Sequence, residues 1–233
     1  MDATLRHTEE MLAEGADIID IGGESTRPGH VQITDQEEID RVAPIIEAVK
    51  ARFDVPVSLD TYKSAVAEAG IAVGADLIND IWGLKYDPKM ADVIAKADVA
   101  CCLMHNRDNS DYGDFLSEWY QETAECVELA KKAGIADDKI ILDPGVGFGK
   151  TYEQNLTTIK YMDDLKKLGY PLLLGTSRKS VIGLTLDTPV TDRAVGTAVT
   201  TVFAVQQGYA FVRVHDIKVN KQAIQMTKAI LNA

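Results

Sequence analysis

Seven short apolar runs along the chain each end in a cluster of polar, glycine and charged residues. They are DIIDIGGESTRPG (17–29), PVSLDT (56–61), LINDIWG (77–83), VACCLMHN (99–106), IILDPGVGFGKT (140–151), PLLLGTSRKS (171–180) and FVRVHD (211–216). Short unbroken apolar runs of this kind predict strands buried on both faces. Amphipathic segments lie between them. Residues 2–14 carry Leu5, Thr8, Met11 and Leu12 near one helical face, and Gly15 is a plausible stop. Residues 35–52 carry Ile39, Val42, Ile45, Ile46 and Val49 at helical spacing, with Thr34 or Asp35 as the cap. Further helices are predicted near 63–73, 88–97, 114–133, 153–168, 191–207 and 218–232.

Regular alternation of strand and helix implies a parallel sheet with right-handed crossovers. Reactive side chains just past the strands, all at one end, describe the active face of a β/α barrel. The expected fold is therefore α/β, a (β/α)8 TIM-barrel type, in a single domain spanning 1–233. The count is uneven: seven strands, eight helices, and a helix first. Either the first strand lies upstream of Met1, or the sheet is open, or another segment fills the gap, since a barrel leaves no unpaired edges.

Composition narrows the function. The formal charge of −12 argues against a broad nucleic-acid surface but allows a local anion site. No apolar stretch approaches the roughly 18 residues of a membrane span, and no signal peptide opens the chain. Two of the three cysteines, Cys101 and Cys102, sit in a strand-like run, which suits reduced, buried thiols in a cytoplasmic protein.

The chemistry gathers at the strand ends. DPGVGFGKT (143–151) lacks the glycine spacing of a Walker A loop or a dinucleotide fingerprint. A turn explains its glycines but not Asp143 or Lys150. GTSRKS (175–180) sets Arg178, Lys179 and Ser180 at a strand-to-helix junction, a setting that attracts anions. GGESTRPG (22–29) suits a loop that covers a ligand and, on the residues alone, an ordinary surface turn equally well. Arg213 and His215 fall on the same side of a strand, where an anion would justify them. Asp60, Asn79 and Asp143 each end an apolar run and suit a flat heterocycle with ring N–H and amino donors. No zinc-type spacing appears, and Ser177 lacks a nucleophile-elbow setting.

GADIIDIGGESTRPG, SLDTYK, INDIWG, MHN, DPGVGFGKT, GTSRKS and RVHD, in this order, resemble the dihydropteroate synthase family over essentially the whole chain. The resemblance implies a transferase that joins a dihydropterin pyrophosphate to para-aminobenzoate and releases pyrophosphate, with Mg2+ accompanying the diphosphate. By resemblance Asp60, Asn79, Asp143 and Lys179 hold the pterin, and Ile81, Met104 and Gly175 shape its slot. Arg213, His215 and Thr26 bind pyrophosphate; Arg27, Phe148 and Ser180 form the aminobenzoate side. Asp60, Lys179, Arg213 and His215 are the residues implied in catalysis. The family also carries an N-V-T-P-D-S-F-type segment before its first helix, whose Asn meets the metal. Nothing like it stands in this sequence, so no metal ligand is expected within it. A homodimer through the later helices is implied. A pterin-dependent methyltransferase would share the pterin contacts without needing the SRKS or Arg/His anion groups. A pterin-binding protein impaired in catalysis is the remaining alternative.

Overall fold

Strand and helix alternate in the computed structural model, which describes residues 1–25 and 31–233. The elements are α1 (Asp2–Ala13), β1 (Ile19–Gly22), α2 (Asp35–Arg52), β2 (Val57–Asp60), α3 (Ser64–Ala72), β3 (Leu77–Asp80), α4 (Met90–Ala97) and β4 (Ala100–Met104). They continue with α5 (Phe115–Ala133), β5 (Ile140–Asp143), α6 (Tyr152–Tyr161), β6 (Leu173–Leu174), α7 (Ser180–Leu186), α8 (Ala194–Gln206), β7 (Phe211–Val212) and α9 (Ile217–Leu231). β1 to β5 follow chain order in one sheet, and β6 pairs with β7 in parallel. An isolated parallel bridge joins Leu142 to Leu172. Among the described residues there are thus seven strands, the number the apolar runs predict.

The chain divides into two compact units, one of residues 1–104 and 125–141, the other of 105–124 and 142–233. In the first unit β2 and β3 are buried along their whole length, as their unbroken apolar runs require. Leu59, Ile78 and Leu103 from the strands, with Ile46 from α2 and Ile94 from α4, form its fully buried centre. Thr34 caps α2 by accepting the Glu37 N–H at 3.2 Å. Val42, Ile46 and Val49 line its buried stripe, and so does Glu38, which pattern alone places among the solvated charges. Gly15, at φ 101°, takes the left-handed turn that ends α1. Cys101, Cys102 and Cys126 are buried thiols outside any disulfide.

In the second unit Trp119, Leu142, Met162, Leu165 and Leu174 are fully buried. Three expectations change there. The helix expected over 153–168 is α6 followed by a 3-10 segment, Met162–Leu168. Met162, Leu165 and Leu168 recur every three residues, the 3-10 period, with the first two buried. α7 was absent from the helices expected by periodicity; it is seven residues long and contains Gly183. The RVHD segment is not in a strand, because β7 ends at Val212. The Arg213 N–H still donates to Leu174 O at 2.9 Å, but β6 ends at Leu174, so the ladder stops and His215 lies in the loop beyond.

Candidate active site

In the first unit the expected pterin residues share the carboxyl ends of the strands. Asp60 is the last residue of β2, and Asn79 is its register partner on β3. Side chains of partnered residues on parallel strands point to the same face. Cys102 on β4 partners Asn79, so Met104, two residues on, continues that face. Asp60 is 5% exposed and Asn79 7%, so a carboxylate and an amide stand side by side in a largely dry setting. Ile81 and Met104 are buried at the same strand ends. Beneath Asp60, Ser58 donates its hydroxyl to Asp20 Oδ1 at 2.6 Å, a polar layer that the sequence reading missed. Its signal is the polar residue two positions before the ends of β1 and β2.

Asp80 ends β3 and is fully buried. Its carboxylate accepts the N–H groups of Trp82 at 2.8 Å and Leu84 at 2.7 Å, which curls the chain directly after Ile81. Burial pushes the Asp80 carboxyl up to about 6, against the two hydrogen bonds and with a smaller contribution from Asp87.

The second unit gathers the remaining groups. Asp143 ends β5 and accepts the Gly145 N–H at 2.7 Å. A Cβ on Gly175 would sit 3.4 Å from Asp143 Oδ2 and 3.9 Å from Lys179 Nζ. The bare glycine therefore leaves open the space between an acid and an ammonium. Burial raises the Asp143 carboxyl; Lys179, the Gly145 N–H, Lys150 and Arg213 all pull it back. Lys179 donates to Val146 O and lies 4.6 Å over the Phe148 ring. Gly145, Gly147 and Gly149 all have positive φ, so the turn reading does account for those glycines.

Arg213 and His215 are exposed beyond β7. The Ser177 hydroxyl oxygen accepts the His215 backbone N–H at 3.0 Å and lies 2.8 Å from Nδ1. With the Ser177 O–H donating to Nδ1, the neutral ring carries its proton on Nε2. Ser177 was set aside in sequence as a nucleophile; its place is to orient His215. The expectation that Arg178 adds charge to an open anion site is corrected. Its guanidinium is bidentate on Asp216, with Nε–Oδ2 at 2.9 Å and Nη2–Oδ1 at 2.5 Å. Lys179 and the exposed Ser180 remain at the start of α7. Arg193 holds that start by donating to Arg178 O at 3.0 Å and Lys179 O at 3.3 Å. Thr26 and Arg27 lie outside the described residues. Among the described residues no group of three or more His, Cys, Asp or Glu side chains forms a metal cage, and no helix is long and apolar enough to cross a membrane.

The family model of the pterin binding enzymes matches residues 1–215. A relative from Clostridium beijerinckii named dihydropteroate synthase is 55% identical over 99% of this chain and 86% of its own length. One of the same name from Bacillus subtilis is 47% identical over 100% of this chain and 81% of its own. A solved dihydropteroate synthase from Clostridium difficile, in the presence of pteroic acid, superposes with a TM-score of 0.97 at 46% identity, covering 100% of this chain and 89% of that one. One from Yersinia pestis, with a pterin–sulfa conjugate, gives a TM-score of 0.95 at 40% identity, covering 100% and 90%. The fold is that of these enzymes, the α/β barrel type. Family model, relatives and solved structures agree, and the chain belongs to the dihydropteroate synthase family of pterin binding enzymes.

Proposed function

We propose that this transferase condenses 6-hydroxymethyl-7,8-dihydropterin pyrophosphate with para-aminobenzoate, and that the residues read from sequence carry the reaction. The observation that carries the reading is the in-register pair Asp60–Asn79, a buried carboxylate and amide on one sheet face. Such a pair matches the donors and acceptors on the edge of a pterin. Asp143 and Lys179, with Ile81, Met104 and Gly175 shaping the slot, complete the pterin contacts in this reading. Arg213, His215 and Thr26 take the diphosphate; Phe148, Arg27 and Ser180 take the aminobenzoate.

The reaction is a displacement at the pterin methylene carbon. The aromatic amine, neutral near pH 7, forms the new C–N bond. The C–O bond breaks with its electron pair going to the diphosphate, and the nitrogen then loses a proton to solvent. No strong base is needed, so rate comes from positioning and charge stabilisation. Asp60 favours positive charge developing on the pterin. Arg213 and the Nε2–H of His215 face the negative charge that grows on the leaving group. Among the described residues no three His, Cys, Asp or Glu side chains gather to hold the magnesium ion. It enters as the counterion carried in by the diphosphate substrate.

Treating 1–233 as one domain belongs to this reading, and the family match across both compact units supports it. So does a homodimer: Val195, Val199 and Phe203 form an exposed stripe on α8, and Met226 and Ile230 are exposed on α9. A cytoplasmic location suits three thiols that form no disulfide.

Calorimetry with the pterin pyrophosphate beside a turnover assay tests the proposal. Binding with product formation is expected; binding without product favours a non-catalytic pterin-binding protein. Asp60→Ala is expected to weaken pterin binding by about 10- to 100-fold, the loss of one or two hydrogen bonds to a charged group. An affinity within threefold of the parent would remove Asp60 from the pterin contacts.

A further inference from the structure

Lys150 closes the glycine loop after β5, and the roles above leave it unused. Its Nζ donates to His105 Nδ1 at 2.8 Å, Gly145 O at 2.9 Å and Phe148 O at 3.0 Å. Three acceptors match the three protons of an ammonium. Two of them are carbonyls of the loop that Lys150 ends, so the loop folds around its own cation. The third ties the loop to a second chain segment. Because His105 Nδ1 accepts, its ring proton sits on Nε2, which donates to Glu122 at 2.9 Å. Glu122 also accepts from Arg107 Nε at 2.8 and 2.9 Å, and Arg107 donates on to Asp111 O at 2.6 Å. The loop is thus anchored through Lys150 and His105 to α5. A side chain on Gly145 would fall 1.9 Å from His105 O, so this approach requires glycine.

What the loop carries gives the network a purpose. Val146 O accepts from Lys179, and the Phe148 ring lies under the same ammonium. We propose that Lys150 is a positioning residue: through the Gly145 and Phe148 carbonyls it holds Phe148 in the arrangement that receives the aromatic amine substrate. The inference rests on the reading of Phe148 as an aminobenzoate contact. Burial lowers the Lys150 ammonium to about 7; Asp143 and Glu122 favour its charge, while Lys179 and Arg107 oppose it. Above that pH the amine has two protons for three acceptors, and one anchor of the loop is lost. Neither ionisable group of the aminobenzoate titrates near neutrality.

The test is steady-state kinetics on Lys150→Met and Phe148→Ala, with pterin affinity measured by calorimetry. Lys150→Met is expected to raise KM for para-aminobenzoate about tenfold or more, the effect of losing several hydrogen bonds. kcat and pterin affinity should stay within about twofold, a split that general destabilisation does not produce. An aminobenzoate KM within about twofold of the parent, or equal losses in pterin affinity, overturns the inference. If Phe148→Ala leaves that KM unchanged, the aminobenzoate reading itself fails; if only Phe148→Ala raises it, the positioning role alone fails. Should Lys150→Met not fold, the wild-type profile decides. At saturating pterin substrate, KM for aminobenzoate is expected to rise from about pH 6 to about pH 8, and a flat profile overturns the inference.

Discussion

Replacing Arg213 with alanine is expected to lower kcat by about 10²- to 10³-fold, the typical loss when one preorganised donor to developing charge is removed. Arg213 follows β7, and its backbone is held by the 2.9 Å bond to Leu174 O, so its point of departure is rigid. Its charge reaches Asp143, whose carboxyl it helps to keep ionised. The guanidinium is exposed where solvent-carried diphosphate can meet it. Charge on the leaving group is larger in the transition state than in the bound substrate, so the loss should fall on kcat more than on KM. Lysine should restore little, because it replaces a planar fork with a point charge. The measurement is product formation at saturating pterin pyrophosphate and aminobenzoate, with magnesium held constant. Binding of a pterin without diphosphate should be unchanged. Turnover within threefold of the parent would show that Arg213 does not stabilise the leaving group.

The parts legible in sequence are those whose physics is local. A strand buried on both faces needs an unbroken apolar run, so β2 to β5 stand out, and the polar residue ending each run marks the functional end of the sheet. Asp60, Asn79 and Asp143 were found that way. Charges neutralised by distant partners were not. Arg178 reads as a free cation until Asp216, far along the chain, is seen against it. Glu38 reads as a solvated helix charge until Lys63 meets it. α7, marked in sequence only by its start after SRKS, shows no helical period because seven residues give too few turns, and because Gly183 is there to let the Arg193 guanidinium pass; a Cβ would lie 2.2 Å from it. Ser177 fits no nucleophile setting, and nothing local in the sequence points to another role for it. Only the turn that brings His215 beside it reveals the bond.

The largest stability effect is expected at Lys63, which precedes α3. Its side chain is 5% exposed, and those of Glu24 and Glu38 are 2% each. Nζ lies 2.7 Å from Glu24, 2.8 Å from Glu38 and 2.8 Å from Ile33 O, so each ammonium proton has one acceptor. Glu24 also accepts the Ile33 N–H at 2.8 Å and the Tyr62 hydroxyl. The cluster fastens residues 24 and 33, on either side of STRPG, to the sheet end. Burial disfavours the Glu24 carboxylate, but its bonds to Lys63, Tyr62 and Ile33 hold it down at about 2. Lys63→Met removes the cation that both carboxylates share among the described residues and leaves the two carboxylates buried together. The expected destabilisation is about 3–5 kcal/mol, the range for breaking a buried ion pair from one side. It should appear in urea unfolding at pH 8 as a lower midpoint with an unchanged slope. In the parent, Glu24 contributes stability that is complete above its unfolded value of 4.5 and is lost as pH falls towards about 2. In the variant the Glu24 carboxyl loses the Lys63 bond that holds it down while its burial remains, so protonation relieves the folded state at a higher pH than in the parent. The gap between parent and variant should therefore narrow as pH falls from about 8 to about 5. Glu24→Gln/Glu38→Gln added to Lys63→Met should recover part of the loss, because it removes the buried charges that Lys63 balanced. A loss at pH 8 below about 1 kcal/mol would place this cluster among ordinary solvated pairs.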